Sequence, residues 1–271
     1  MKRKMRDYQT FIFDMDGTLI EGDTVLPGTL NLLHDLRKQK KQILLATNCP
    51  RWSKQSLAER LQQLGIAVFP HEIVTPVDAL AAYFENEFSS VRLLGLIAQP
   101  VAEELRSLGF HLVEPEKWQG KQVSHVLLGM YEELTYKHLC LALKALDQGA
   151  CLMAMNPDRF GPVAGGRIPD SGALAACLEL SSGQKAVFLG KPSPWMQRAI
   201  KDRLQSSVDA CLLIGDSPYT DIQIGETLGM DTVLLRSGIG SFVEDDLGVK
   251  PTYRFPTLDA FYHEYRCLAC V

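Results

Sequence analysis

The chain reads as an α/β protein built on parallel sheets, with a second α/β unit inserted into the first. Three observations predict this. Short apolar runs alternate with helix-length amphipathic segments along almost the whole sequence. Acids, one lysine and a Thr/Asn pair recur just past the ends of several apolar runs, where an open α/β sheet binds its ligands. The stretch from about Thr75 to Gln184 is long enough to hold a strand and helix set of its own.

In chain order, strands are expected over Thr10–Phe13, Gln42–Ala46, Val91–Leu94, Val126–Leu128, Ala186–Leu189, Cys211–Ile214 and Thr232–Leu235. Helices are expected over about Thr29–Lys38, Lys54–Leu64, Val77–Phe88, Ala102–Leu108, Tyr136–Asp147, Ala173–Ser181, Trp195–Leu204 and Asp221–Leu228. Thr75-Pro76 and Ser193-Pro194 each set a capping hydroxyl before a proline suited to the first helical position. Between Asp16 and Thr47 there is room for one loop, one helix and one strand. The expected division is therefore a first domain from residues 1–74 and 185–271, interrupted by an inserted domain at 75–184.

At 271 residues and 46% hydrophobic content, the chain can bury a substantial core. A formal charge of −4 without a basic block argues against a nucleic-acid partner. The basic opening Met1–Arg6 is followed by too short an apolar run for a signal peptide, and no stretch reaches membrane-spanning length. A soluble, cytoplasmic protein without a membrane partner is the expectation. Seven scattered cysteines make no disulfide framework. Cys140, Cys151, Cys177 and Cys211 lie in apolar segments and are expected in the core. Cys267 and Cys270 form a lone Cys-x-x-Cys, too few ligands for zinc. The six histidines form no ligand cluster.

Four motifs carry chemistry. The Phe11-Ile12-Phe13 run ends in Asp14-Met15-Asp16-Gly17-Thr18, and carboxylates at i and i+2 of a strand end face the same side. Two close carboxylates repel unless they share a cation or a proton, so the pair suits a divalent metal and acid–base work. Gly17 lets the chain turn away beside them. Thr47-Asn48 follows the second strand, where a hydroxyl and an amide suit a phosphate oxygen; helix or turn capping is the alternative. Lys191, framed by Gly190 and Pro192, leaves a buried strand and suits charge neutralisation or an ordinary loop. Asp216 repeats the strand-end placement of Asp14, with Asp221 opening the next helix, where Thr220 or Asp221 also suits an N-cap.

With these residues in this order, the chain resembles the haloacid dehalogenase-like (HAD) hydrolases over nearly its whole length. The insertion between the second and third motifs resembles a C2-type cap on a Rossmann-like core. Pro27-Gly28, Ala46-Thr47-Asn48, Met155-Asn156-Pro157-Asp158 and Gly190-Lys191-Pro192 with Pro194 are similar to the type IIA subfamily of small-molecule phosphatases. The resemblance implies a magnesium-dependent phosphatase acting on a small phosphorylated metabolite. Asp14 would be the nucleophile and Asp16 the acid and base. Thr47, Asn48 and Lys191 would bind the phosphoryl group. Asp14, the Asp16 carbonyl and Asp216 would hold magnesium, with Asp221 bound directly or through water. Asn156 and Asp158 would be substrate contacts or a structural turn. Ser217 and Tyr219 depart from the subfamily's common residues. Relatives often dimerise through the cap, so the resemblance offers a homodimer through the cap as one assembly and leaves the oligomeric state open.

Overall fold

Thr10–Phe13 sits inside a six-stranded, all-parallel sheet. In spatial order the strands are Tyr253–Phe255, Asp231–Leu235, Cys211–Gly215, Thr10–Phe13, Gln42–Ala46 and Ile73–Val74. This computed structural model describes residues 5–85, 88, 90–163, 166–237 and 248–267. Their contacts divide into two units, one of residues 1–47, 58–74 and 197–271, the other of residues 48–57 and 75–196. The class is α/β with parallel sheets, as the alternating pattern predicts.

The first unit is built around its middle strands. Phe11, Ile12 and Phe13 are fully buried, which fits a strand covered on both faces. Each such side chain is worth roughly 1.5–3 kcal/mol of transfer free energy. Leu32 and Leu36 of the Thr29–Lys38 helix, and Phe261 and Tyr265 of the Leu258–Cys267 helix, are also buried. The Tyr265 ring meets Phe11 edge-on at 5.8 Å between centroids.

The second unit has a five-stranded parallel sheet in the order Val187–Phe188, Cys151–Ala154, His125–Leu128, Arg92–Leu96 and His111–Val113. One core cluster joins Leu94, Leu96, Val126 and Leu128 to Ala142, Ala145 and Leu146 of the Tyr136–Asp147 helix. Ala175 and Leu178 of the Ser171–Ser182 helix belong to it too. The boundary expected at residue 185 groups the strand before Lys191 with the first domain. In the structure Val187 and Phe188 pair in parallel with Met153 and Ala154, in the second sheet.

Both predicted caps form. The Thr75 hydroxyl accepts from the Val77 N–H at 3.3 Å, and the Asp78 carboxylate accepts from the Thr75 N–H at 2.9 Å. The Ser193 hydroxyl accepts from the Met196 N–H at 3.1 Å. The helices that follow, Pro76–Tyr83 and Pro194–Lys201, are shorter than predicted. Three cysteines depart from expectation: Cys140, Cys151 and Cys177 are exposed, and only Cys211 of the four is buried. An apolar neighbourhood in sequence does not choose a helix face, and Cys151 is the first, solvent-facing residue of its strand. Cys267 is exposed; Cys270 lies outside the described residues. Among the described residues, no helix is long and apolar enough to cross a membrane.

Candidate active site

Parallel pairing aligns the strand ends of the first unit. Phe13 is in register with both Ile214 and Leu45, so Asp14 stands beside Gly215 and Ala46, with Thr47 and Asp216 one residue beyond. The pairing extends past the strand, for the Asp14 N–H donates to the Ile214 carbonyl at 2.9 Å. Thr47 is buried, its N–H held by the Val74 carbonyl at 3.1 Å.

Asp221 reaches the same place by a different route. Pro218–Ile222 forms a π-helical turn in which the Ser217 carbonyl accepts from both Asp221 N–H (2.9 Å) and Ile222 N–H (3.2 Å). The wide turn folds the Asp221 side chain back, where Oδ2 accepts from the Ser217 N–H at 3.1 Å. A Cβ on Gly215 would lie 2.3 Å from that oxygen, so only glycine leaves room for the carboxylate. Neither Thr220 nor Asp221 serves as the N-cap of the short Gln223–Leu228 helix. Of the two departures from the subfamily pattern, Ser217 is buried within this turn and Tyr219 is exposed.

One carboxylate oxygen from each of Asp14, Asp216 and Asp221 lies within 4.8 Å of the others. The three residues are 9%, 3% and 1% exposed. Three buried carboxylates this close repel strongly unless a cation lies among them. An all-oxygen, anionic donor set fits a hard divalent ion such as magnesium. Asp16 is half-buried and its carboxylate is not part of this trio. It stands on a turn closed by Leu19 N–H to Met15 O (2.9 Å) and Gly17 N–H to Ile20 O (2.8 Å), with Gly17 at φ 85°. The Ser237 hydroxyl donates to the Gly17 carbonyl at 2.7 Å and ties the turn to a second strand end.

The second unit brings the remaining candidates together in one hydrogen-bond network. Asn48 Oδ1 accepts from the Lys191 N–H at 2.6 Å. Its Nδ2 donates to the Lys191 carbonyl at 3.2 Å and to Asp158 Oδ2 at 3.0 Å. Asn156 Nδ2 donates to the Asn48 carbonyl (2.9 Å) and to Asp170 Oδ1 (3.2 Å), while its Oδ1 accepts from the Asp158 N–H (3.1 Å). Lys191 is 2% exposed. A Cβ on Gly190 would fall 2.5 Å from Asn48 Oδ1, so the glycine before the lysine admits this brace. The side-chain amides of Asn48 and Asn156 are thus engaged within the unit, fixing the lysine's main chain. Asp170 is the member that sequence reasoning missed. Its signal was available: an acid directly before the Ser171–Ser182 helix, whose first N–H it caps at 2.5 Å.

Burial pushes the Asp170 carboxyl above its ordinary pKa, opposed by hydrogen bonds from the Ser171 N–H, the Ser171 hydroxyl and Asn156. Between its unfolded and folded pKa values the folded chain binds more protons than the unfolded one. Stability is therefore expected to fall as pH rises from about 4 through the folded-state pKa, then level off. Asp170→Asn should flatten that slope in urea melts across this range. An unchanged slope would assign it to another group.

Residues 11–111 match the family described as haloacid dehalogenase-like hydrolase, and residues 188–261 match a HAD-hydrolase-like family. The chain belongs to the haloacid dehalogenase-like hydrolases. It is similar to the acid sugar phosphatase of Staphylococcus haemolyticus, at 28% identity over 261 residues that span 96% of this chain and 97% of that protein. Among solved structures it resembles the p-nitrophenyl phosphatase from Archaeoglobus fulgidus, with a TM-score of 0.84 and 26% identity, covering 95% of this chain and 99% of that one. It also resembles NagD from E. coli K-12, with a TM-score of 0.82 and 28% identity, covering 93% and 97%. These likenesses place it with the type IIA group.

Proposed function

We propose that the protein is a magnesium-dependent phosphatase that hydrolyses small phosphate monoesters through an aspartyl-phosphate. The observation that carries this reading is the buried trio of Asp14, Asp216 and Asp221 at adjacent strand ends. In it, Asp14 attacks the phosphorus in line with the ester oxygen, and the P–O bond to the leaving group breaks. Asp16 gives the leaving oxygen its proton. It then takes a proton from water, which attacks the phosphorus and frees Asp14 and inorganic phosphate. A half-buried carboxyl suits that exchange better than one sealed in the core.

Asp14, the Asp16 carbonyl and Asp216 would hold the magnesium, with Asp221 bound directly or through water. Magnesium, when bound, supplies charge neutralisation for the phosphoryl oxygens. Thr47 and Lys191 are assigned to those same oxygens, and Asn48 acts by holding the Lys191 main chain. The hydrogen bonds of Asn156 support a positioning role for that residue, with Asp158 shared between brace and substrate.

Relatives named acid sugar phosphatase and nitrophenyl phosphatase make sugar phosphates and 4-nitrophenyl phosphate the first substrates to test. Phosphate release is expected with magnesium, should vanish in EDTA and should return with excess magnesium. Release that persists in EDTA would reject the metal role of the acidic trio. Silence across a broad panel of small esters would reject the substrate class.

A further inference from the structure

A cavity of about 600 Å³ opens on the second unit, lined among others by Arg92, Arg106, His111, Glu114, Lys117 and Lys121. Arg92 opens its strand and is in register with His111, the first residue of the edge strand. Paired residues of parallel strands project to the same face, so both side chains leave one face at the amino end of the sheet. Asn156 follows the Cys151–Ala154 strand at the carboxyl end of that sheet. The cavity lines the His111–Val113 edge of the sheet, while the Asn48–Lys191 network follows the strands at its other edge, Cys151–Ala154 and Val187–Phe188.

The charges in the cavity do not balance. Four permanent cations face one carboxylate. Both oxygens of Glu114 are already engaged, one by Arg106 Nη2 and one by Lys117 Nζ, each at 2.5 Å. The Lys117 hydrogen bond is the main influence holding the Glu114 carboxyl below its ordinary range. Arg92 Nε is buried with no hydrogen-bond partner among the described residues. No carboxylate among the described residues pairs with Arg92 or Lys121. A buried guanidinium N–H with no partner is a donor without an acceptor.

The walls are firm. Trp118 packs in the unit's main cluster, and its indole N–H donates to the Lys121 carbonyl at 2.7 Å, bracing the Lys117–Lys121 turn. Leu112 and Val113 add apolar lining. The volume is within the roughly 300–1,000 Å³ of small-molecule sites, larger than bare orthophosphate fills. Guanidinium forks match phosphate oxygens two at a time. We propose that this cavity is a second, non-catalytic binding site for a phosphorylated small organic anion, held by Arg92, Arg106, Lys117 and Lys121.

The test is an NMR titration of the full, metal-free chain with inorganic pyrophosphate. Saturable shifts are expected in the amides of residue 92, residues 111–114 and residues 117–121. The Arg92→Gln/Lys121→Gln double variant should weaken binding by about tenfold or more. Glu114→Gln, which releases Arg106 and Lys117, should tighten it, an opposite sign that misfolding would not produce. Turnover of 4-nitrophenyl phosphate without pyrophosphate should stay at the parent rate in the double variant. Absence of saturable shifts here, or equal affinity in the double variant, would overturn the site. Binding of a short oligonucleotide or an acidic peptide at these amides, with pyrophosphate silent, would overturn its ligand class.

Discussion

Asp14→Asn is expected to lower turnover on the order of 10⁴-fold or more, because a carboxamide cannot form the acyl phosphate. The same change should raise the thermal midpoint of the metal-free protein by a few degrees. It removes one of three carboxylates whose oxygens lie within 4.8 Å of one another, and repulsion at that distance is appreciable even when partly screened. In magnesium the stabilisation should shrink or reverse, since the asparagine variant is the poorer ligand. Steady-state rates and melts with magnesium or EDTA check both parts. Parent-like rates would sink Asp14 as nucleophile. A lower midpoint in EDTA would show that the trio is not under electrostatic strain.

Asn48→Ala should reduce kcat by about 10²-fold through a displaced Lys191. It should also cost about 2 kcal/mol of stability for the groups left unpaired. The amide serves the N–H and the carbonyl of Lys191 at 2.6 and 3.2 Å, and Asp158 at 3.0 Å. Asn48→Asp keeps an acceptor for the lysine's N–H but sets a carboxylate against Asp158. Adding Asp158→Asn reverses the donor and acceptor of that one bond. The pair should recover about tenfold of the lost kcat, with KM little changed. Lost stability without lost kcat would reduce Asn48 to a brace.

The strand ends were the most legible part of the chain, since a short apolar run that stops abruptly at an acid marks where a buried strand opens onto a polar site. Asp14, Thr47 and Asp216 lie where register alone puts them. Asp221 was legible as a residue but not as a geometry, because nothing local announces a π-helical turn or the clearance over Gly215. The strands Ile73–Val74, His111–Val113 and Tyr253–Phe255 escaped because two or three residues carry no measurable period. Cys151–Ala154 lacks the β-branched and aromatic residues that mark strands. The Leu258–Cys267 helix was missed although Leu258, Phe261, Tyr262 and Tyr265 fall at three- and four-residue spacing. Its charged residues obscured an apolar face that the fold uses fully. The Asn156 and Asp158 bonds needed the structure, as they join residues more than a hundred positions apart.

The order of strands in the first sheet has a consequence for biosynthesis. Thr10–Phe13 leaves the ribosome about two hundred residues ahead of Cys211–Gly215, one of its two neighbours in the sheet. Until Cys211–Gly215 emerges, the nascent chain therefore carries Phe11, Ile12 and Phe13 on a strand with one naked edge. At roughly 5–20 residues per second, that edge waits many seconds, while the second unit has its whole sequence available to fold. The first-unit sheet closes only after Cys211–Gly215 has emerged, and Asp216 and Asp221 arrive with that strand and the turn after it. Asp14 thus gains its two acidic neighbours in the same folding step that covers the open edge of its strand.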